Sequence, residues 1–158
     1  MENVLKMEFS ALAENEAFAR AAAAAFIMPL DPTLEELTEI KTAVSEAVSN
    51  CVIHGYGIAD KESAERGEPE AGGEPMVFME CIMKSGGKLV IKIEDKGVGI
   101  DDVEKAMEPL FTTGNDEERS GMGFTVMESF MDKLKVRSEK GKGTTVIMTK
   151  QLDILSDI

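Results

Sequence analysis

A chain of 158 residues, 43% hydrophobic and 30% charged, carries enough apolar material for one core and enough charge for a solvated surface. Its formal charge of −13 argues against direct nucleic-acid binding, which draws its affinity from Lys and Arg neutralising phosphates. It leaves nucleotides open, because a divalent cation and backbone N–H groups can hold phosphates in an acidic protein, and it asks for a basic surface on any protein partner. No apolar run approaches the ~20 residues of a membrane span. No basic-then-apolar leader opens the chain, so the expected compartment is cytoplasmic. Cys51 and Cys81 lie far apart in apolar patterns and read as reduced packing residues. Two scattered thiols and one histidine do not make a zinc site.

In chain order, Leu5, Met7 and Phe9 alternate with Lys6 and Glu8, the period of a half-buried strand. After a turn over 10–15, a helix is expected over 16–28, ended by Pro29 and Pro32. Phe18, Ala22, Ala25 and Phe26 are its expected packing residues, and Arg20 is the one charge in an alanine-rich middle. A longer helix begins at Thr33, where Thr33 and Glu36 spell a capping box, and stops at Gly55 and Gly57. Leu37, Ile40, Val44, Ala47, Val48 and Cys51 form its apolar arc.

Glu46, Asn50 and His54, four apart, climb a different row of that helix. A solvated polar stripe would account for the row taken alone.

The stretch from about 57 to 75 mixes Glu, Lys, Arg, Gly and Pro without a period and reads as a mobile acidic loop inside one domain spanning 1–158. Strands over 76–82 and 89–94 meet across Ser85-Gly86-Gly87 as a hairpin. A short capped helix opens at 101–104, a further helix runs over 124–133, and strands over 134–138 and 144–150 close the fold. The pattern predicts an α+β two-layer sandwich with a mixed, mostly antiparallel sheet and about three main helices on one face.

Two glycine clusters punctuate this frame. Asp95-Lys96-Gly97-Val98-Gly99 follows a strand, so backbone can approach a ligand while the carboxylate accepts a hydrogen bond from it. A dinucleotide fingerprint would need a third glycine where Asp102 stands, and a tight turn would also explain the spacing. Ser120-Gly121-Met122-Gly123 opens a helix whose N–H groups could cradle an anion, or else forms a hinge. Gly143-Thr144-Thr145 begins the last strand and brings hydroxyls towards the same place.

The ordered set of Glu46-x-x-x-Asn50, Asp95-x-Gly97-x-Gly99, Gly121-x-Gly123 and Gly143-Thr144 resembles the Bergerat-fold (GHKL) ATPases and kinases. Asn15 to Arg20, Leu30 to Thr33, Pro109 to Thr113 and Arg119 to Phe124 resemble the superfamily's anti-sigma serine kinases. The likeness runs from about Met7 to Leu152, and the acidic loop is longer than that family usually has. It implies Mg²⁺ held by Asn50, Glu46 as the base that takes a serine hydroxyl proton, and Asp95 receiving the adenine amino group. Gly97 and Gly99 would let the base pack on backbone, and Thr145 would make a second adenine contact.

The segment 112–123 would close over the phosphates of ATP or ADP. Thr112, Thr113, Arg119, Ser120, Gly121, Met122, Gly123 and Phe124 are its expected nucleotide-binding residues. The same likeness implies a homodimer that holds sigma factor F through Arg20 and phosphorylates an anti-anti-sigma protein on serine. A nucleotide-switched binding module without phosphotransfer and a conformational ATPase are the alternatives. Glu46 argues against the first and the chain's small size against the second.

Overall fold

The structure is a computed structural model, and it describes residues 2–57, 74–109 and 122–154. Its strands are β1 (Asn3–Ser10), β2 (Met76–Lys84), β3 (Lys88–Asp95), β4 (Lys133–Glu139) and β5 (Gly143–Gln151). They form one sheet in the order β1-β2-β3-β5-β4. Every pairing among them is antiparallel, so the sheet is simpler than the mixed one expected. Hairpins join β2 to β3 and β4 to β5, whereas helices make the two longer connections. The edge strands β1 and β4 carry Lys6, Glu8, Lys133, Lys135 and Arg137, charges that discourage edge-to-edge pairing.

The helices are α1 (Asn15–Ile27), α2 (Leu34–Asn50), the single turn α3 (Val103–Ala106) and α4 (Gly123–Phe130). Alternation along β3 puts Leu89, Ile91, Ile93 and Asp95 beneath the helices and turns Val90, Lys92 and Glu94 away. Register then carries the same face to β5, where Val146 and Met148 lie opposite Ile93 and Ile91. The core lies between this face and α1, α2 and α4, with Ile40, Val44, Val48 and Met127 fully buried. Each such side chain contributes roughly 1.5–3 kcal/mol relative to leaving it in water.

Helix α2 starts as its sequence demands. The Thr33 hydroxyl accepts from Glu36 N–H at 3.1 Å, and Glu36 accepts from Thr33 N–H at 2.8 Å. Glu36 also accepts from Asp153 N–H at 2.9 Å, pinning the chain beyond β5 to the start of α2.

Helix α1 corrects half of the expected packing: Ala22 and Phe26 do pack, partly buried, against the core. It buries Ala19, Ala23 and Ile27, four apart, while Phe18 is 59% exposed and Ala25 is also exposed. Small residues on the inward row let α1 lie close against α2. Helix α4 ends at Phe130, short of Lys133, because Met131 is extended and Asp132 N–H already donates to Thr149 O in the sheet. No helix among the described residues is long and apolar enough to cross a membrane.

Candidate active site

Glu46 and Asn50 sit one turn apart at the C-terminal end of α2, and both face the N-terminus of α4. A β-carbon on Gly123, the first residue of α4, would lie 3.2 Å from Glu46 Oε2 and 3.3 Å from both terminal atoms of the Asn50 amide. Met122, the residue before α4, makes no side-chain cap, and among the described residues none caps the helix, so this helix end is suited to an anionic acceptor. The three features share one small space: a carboxylate, an amide oxygen and a helix end. Burial raises the Glu46 pKa above its ordinary value, and the nearby negative charge of Glu16 adds to the effect. Among the described residues no cluster of three or more His, Cys, Asp or Glu could hold a metal ion. The donor set suits a hard cation held by one amide oxygen with phosphate oxygens supplying the rest.

Beyond Asn50 the helix widens into a π-type turn over Cys51–Gly55. That turn delivers Gly55 against the end of β3, where its carbonyl accepts from Val98 N–H at 2.9 Å. Asp95, only 4% exposed, accepts from Gly97 N–H at 2.9 Å, from the Cys51 thiol and from Thr144 N–H. Burial pushes its pKa up, and these donors oppose the shift. A carboxylate offers about four acceptor positions, so three donors leave one position for a further donor, a role that an exocyclic amino group has the chemistry to fill.

The glycines here are required by the protein's own backbone. A β-carbon at Gly97 would fall 2.0 Å from Gly55 O, at Gly99 2.2 Å from Glu139 O, and at Gly143 2.1 Å from Asp95 O. Each would collide with main chain that cannot yield. The expected reason, room for a flat base, is therefore secondary to internal close approach. Gly99 also needs its positive φ of 73°.

Thr145 stands elsewhere. It pairs with Glu94, on the sheet face turned away from the helices, and its hydroxyl donates to Glu94 at 3.1 Å. Thr144 pairs with Asp95 and shares its face, with its hydroxyl 2.8 Å from that of Ser138. The expected hydroxyl beside Asp95 is thus one residue earlier. Met122 and Phe124 flank Gly123 and are half-buried. Thr112, Thr113, Arg119, Ser120 and Gly121 lie outside the described residues, as does most of the acidic loop.

Arg20 is not a free cation. It donates to Glu16 at 3.1 Å and to the Ser45 hydroxyl at 3.4 Å, with its side chain 41% exposed. Glu16 also accepts from the Ser49 hydroxyl at 2.8 Å, beside Asn50. Sequence reasoning did not single out Glu16, because its partners are 30 and 33 residues away or on its own helix surface. It did not single out Tyr56 either.

Fold and site together define a histidine kinase-like ATPase domain, and the family model of that description matches residues 9–150. An "Anti-sigma F factor" of Clostridium acetobutylicum is 50% identical over 157 residues, covering 99% of this chain and 99% of that protein. The proteins of the same name from Thermoanaerobacter pseudethanolicus and Oceanobacillus iheyensis are also 50% identical, each covering at least 95% of this chain and 94% of their own length. The chain belongs to the anti-sigma F factor family, a branch of the histidine kinase-like ATPases.

Solved structures share the fold. The RsbU and RsbW domains of a Mycobacterium tuberculosis protein superpose with TM-score 0.59 at 16% identity, over 95% of this chain and 32% of theirs. The histidine kinase domain from the Erythrobacter litoralis EL346 blue-light activated histidine kinase gives 0.51 at 24% identity, over 75% of this chain and 45% of its own.

Proposed function

We propose that the chain binds Mg-ATP between α2, the Asp95 turn and the start of α4, transfers phosphate to a serine of an anti-anti-sigma protein, and in its ATP state sequesters sigma factor F. The observation that carries this reading is the convergence of Glu46 and Asn50 on Gly123. When bound, ATP supplies the phosphoryl group and Mg²⁺ neutralises the charge that develops on it. Asn50 would hold the cation through its amide oxygen, and the N-terminus of α4 would take phosphate oxygens. Glu46, raised in pKa by burial, accepts the proton of the serine hydroxyl. Asp95 accepts from the adenine amino group, with Gly97 and Gly99 shaping the turn beneath it. The segment 112–121, with Thr112, Thr113, Arg119, Ser120 and Gly121, would cover the phosphates, while Met122 and Phe124 seat α4.

The partner side of the reading rests on the relatives' name and on α1. Phe18, Ala21, Ala25 and Met28 are exposed at spacings of three and four, a stripe beside Arg20. A sigma factor can lie on this stripe, with an acidic side chain competing for the Arg20 guanidinium. The sheet face away from the helices carries Val4, Phe78, Ile82, Val90 and Ile147 among the Lys6–Glu80 and Lys92–Glu94 pairs, and offers a surface for a second copy. The whole chain acts as one cytoplasmic domain.

Incubation with γ-labelled ATP, with and without the anti-anti-sigma protein, tests the reading. Label on the partner's serine supports it. Label released as phosphate without the partner makes the chain a conformational ATPase. Tight ATP binding with no turnover makes it a nucleotide-switched clamp.

A further inference from the structure

Tyr56 is the one tyrosine in the chain and lies just past the π-type turn that ends α2. Its hydroxyl makes two hydrogen bonds at once. It donates to the Met76 carbonyl at 2.7 Å and accepts from Lys96 N–H at 2.8 Å. Met76 is the first residue of β2, and Lys96 lies between Asp95 and Gly97. Besides the Cys51 thiol on the Asp95 carboxylate, two contacts join the end of α2 to the backbone of the β3 turn: Tyr56 Oη to Lys96 N, and Gly55 O to Val98 N at 2.9 Å.

From these contacts we infer that Tyr56 is a positioning residue for nucleotide recognition: its hydroxyl, bridging Met76 and Lys96, holds the Asp95–Val98 turn in place against the end of α2. The inference rests on the reading that Asp95 receives the base.

The geometry explains why a hydroxyl is needed there. Lys96 N–H follows the last residue of β3, and Lys96 is exposed, so water competes for that donor. The Tyr56 oxygen gives it a fixed acceptor. The oxygen in turn is fixed by donating its proton to β2, the neighbouring strand. Burial raises the phenol pKa, so the donated proton stays in place throughout the working pH range. The Lys96 ammonium itself pairs with Glu94 on the other side of the sheet and does not compete. Without the hydroxyl, Asp95 keeps its other donors, but the peptide that follows it loses its anchor.

A second consequence concerns the acidic segment. Tyr56 and Met76 stand at either end of residues 57–75, so the Tyr56–Met76 bond closes the base of that segment.

The test compares the full-length parent, Tyr56→Phe and Asp95→Asn. ADP and ATP binding are measured by calorimetry, phosphotransfer by its KM and kcat, and Lys96 amide protection by hydrogen exchange. Phenylalanine keeps the half-buried ring, so the fold survives, and thermal melting checks this. The expected result is Lys96 exchange at least tenfold faster, ATP affinity reduced about tenfold, KM raised to match, and kcat at saturating ATP within twofold of the parent. Parent-like affinity in Tyr56→Phe, with Asp95→Asn weakened, overturns the role of Tyr56 and leaves the Asp95 reading standing. Parent-like affinity in Asp95→Asn overturns the underlying reading instead. A kcat loss in Tyr56→Phe without a KM change would refute positioning of the base and place the hydroxyl's effect at the chemical step.

Discussion

Replacing Gly123 with alanine isolates function from stability. The new methyl would lie 3.2 Å from Glu46 Oε2 and 3.3 Å from the Asn50 amide, a few tenths of an ångström inside ordinary contact, roughly 3.5–4.0 Å. Both neighbours are ends of flexible side chains, so they move aside at small cost. Gly123 has no positive φ, and alanine adopts its backbone without strain. Alanine exceeds glycine in helix preference by up to about 1 kcal/mol, less at a first-turn position. The two effects oppose each other, and net stability should change by under about 1 kcal/mol, a shift of at most about 4 °C in Tm. Function is another matter. The methyl occupies the space that the proposed base and metal ligand share, and displacing reacting groups by ~1 Å can cost on the order of 10²-fold in rate. Phosphotransfer at saturating ATP should therefore fall by about 10- to 100-fold in a protein that melts like the parent. A variant with parental kcat would remove the α4 N-terminus from the site, and the convergence argument with it.

Glu46→Gln should keep ATP binding and lose transfer by about 10²-fold or more, measured by labelled phosphate. Because burial and Glu16 raise the Glu46 pKa above 4.5, the parent's transfer rate should begin to fall on acidification at a higher pH than an ordinary glutamate would give. Arg20→Glu should abolish most sigma-factor binding in a pull-down titration while leaving ATP affinity unchanged. Its cost in stability should stay near 1 kcal/mol, since the Glu16 pair it breaks is partly exposed and the new like-charge pair is too. Equal losses of stability and of binding would show that Arg20 only ties α1 to α2.

Glu36 gives a prediction in pH. Burial raises its pKa, but N–H donors from Asp153 and Thr33, the Thr33 hydroxyl and the Lys150 charge outweigh this and leave it lowered. Its stabilisation is present above pH 4.5 and is lost as pH falls through the lower folded value. Denaturant titrations of Glu36→Gln should show a shallower loss of stability in that acid window than the parent, and parallel curves would refute the assignment.

What could be read in advance followed local rules. The capping box at Thr33, the apolar arc of α2 and the alternation in β3 each depend on residues a few positions apart. The row of Glu46 and Asn50 was equally local, and so were the glycines, although their reason was not. Gly97 is glycine because Gly55 O lies where its side chain would go, 42 positions away in the chain. The inward face of α1 was illegible for a different reason. Apolar residues surround that helix, so its period selects no side, and only contact with α2 decides that Ala19, Ala23 and Ile27 go in while Phe18 stays out. The adjacent threonines show the limit most sharply. Choosing Thr144 over Thr145 requires the register of β5 on β3, and a shift of one residue exchanges the faces.

The stretch from Glu46 to Tyr56 now accounts for why one helix dominates the site. Within it lie the proposed base, the proposed metal ligand, the thiol that donates to Asp95 and the carbonyl that accepts from Val98. The end that would grip the base and the end that would act on phosphate are thus spaced by a single rigid element. Glu16 adds a third connection. It accepts from Ser49 on that helix and from Arg20 on the exposed side of α1, and it is the charged neighbour that raises Glu46. An acidic partner that draws Arg20 away would leave Glu16 without its counter-ion while it stays bonded to Ser49. The negative charge beside Glu46 would then be less neutralised, making Glu46 a stronger base. The path from the proposed partner surface to the proposed base is one ion pair, Arg20 to Glu16, and then the charge of Glu16 acting on Glu46, so docking on α1 and chemistry at α2 would need no movement of the sheet to influence each other.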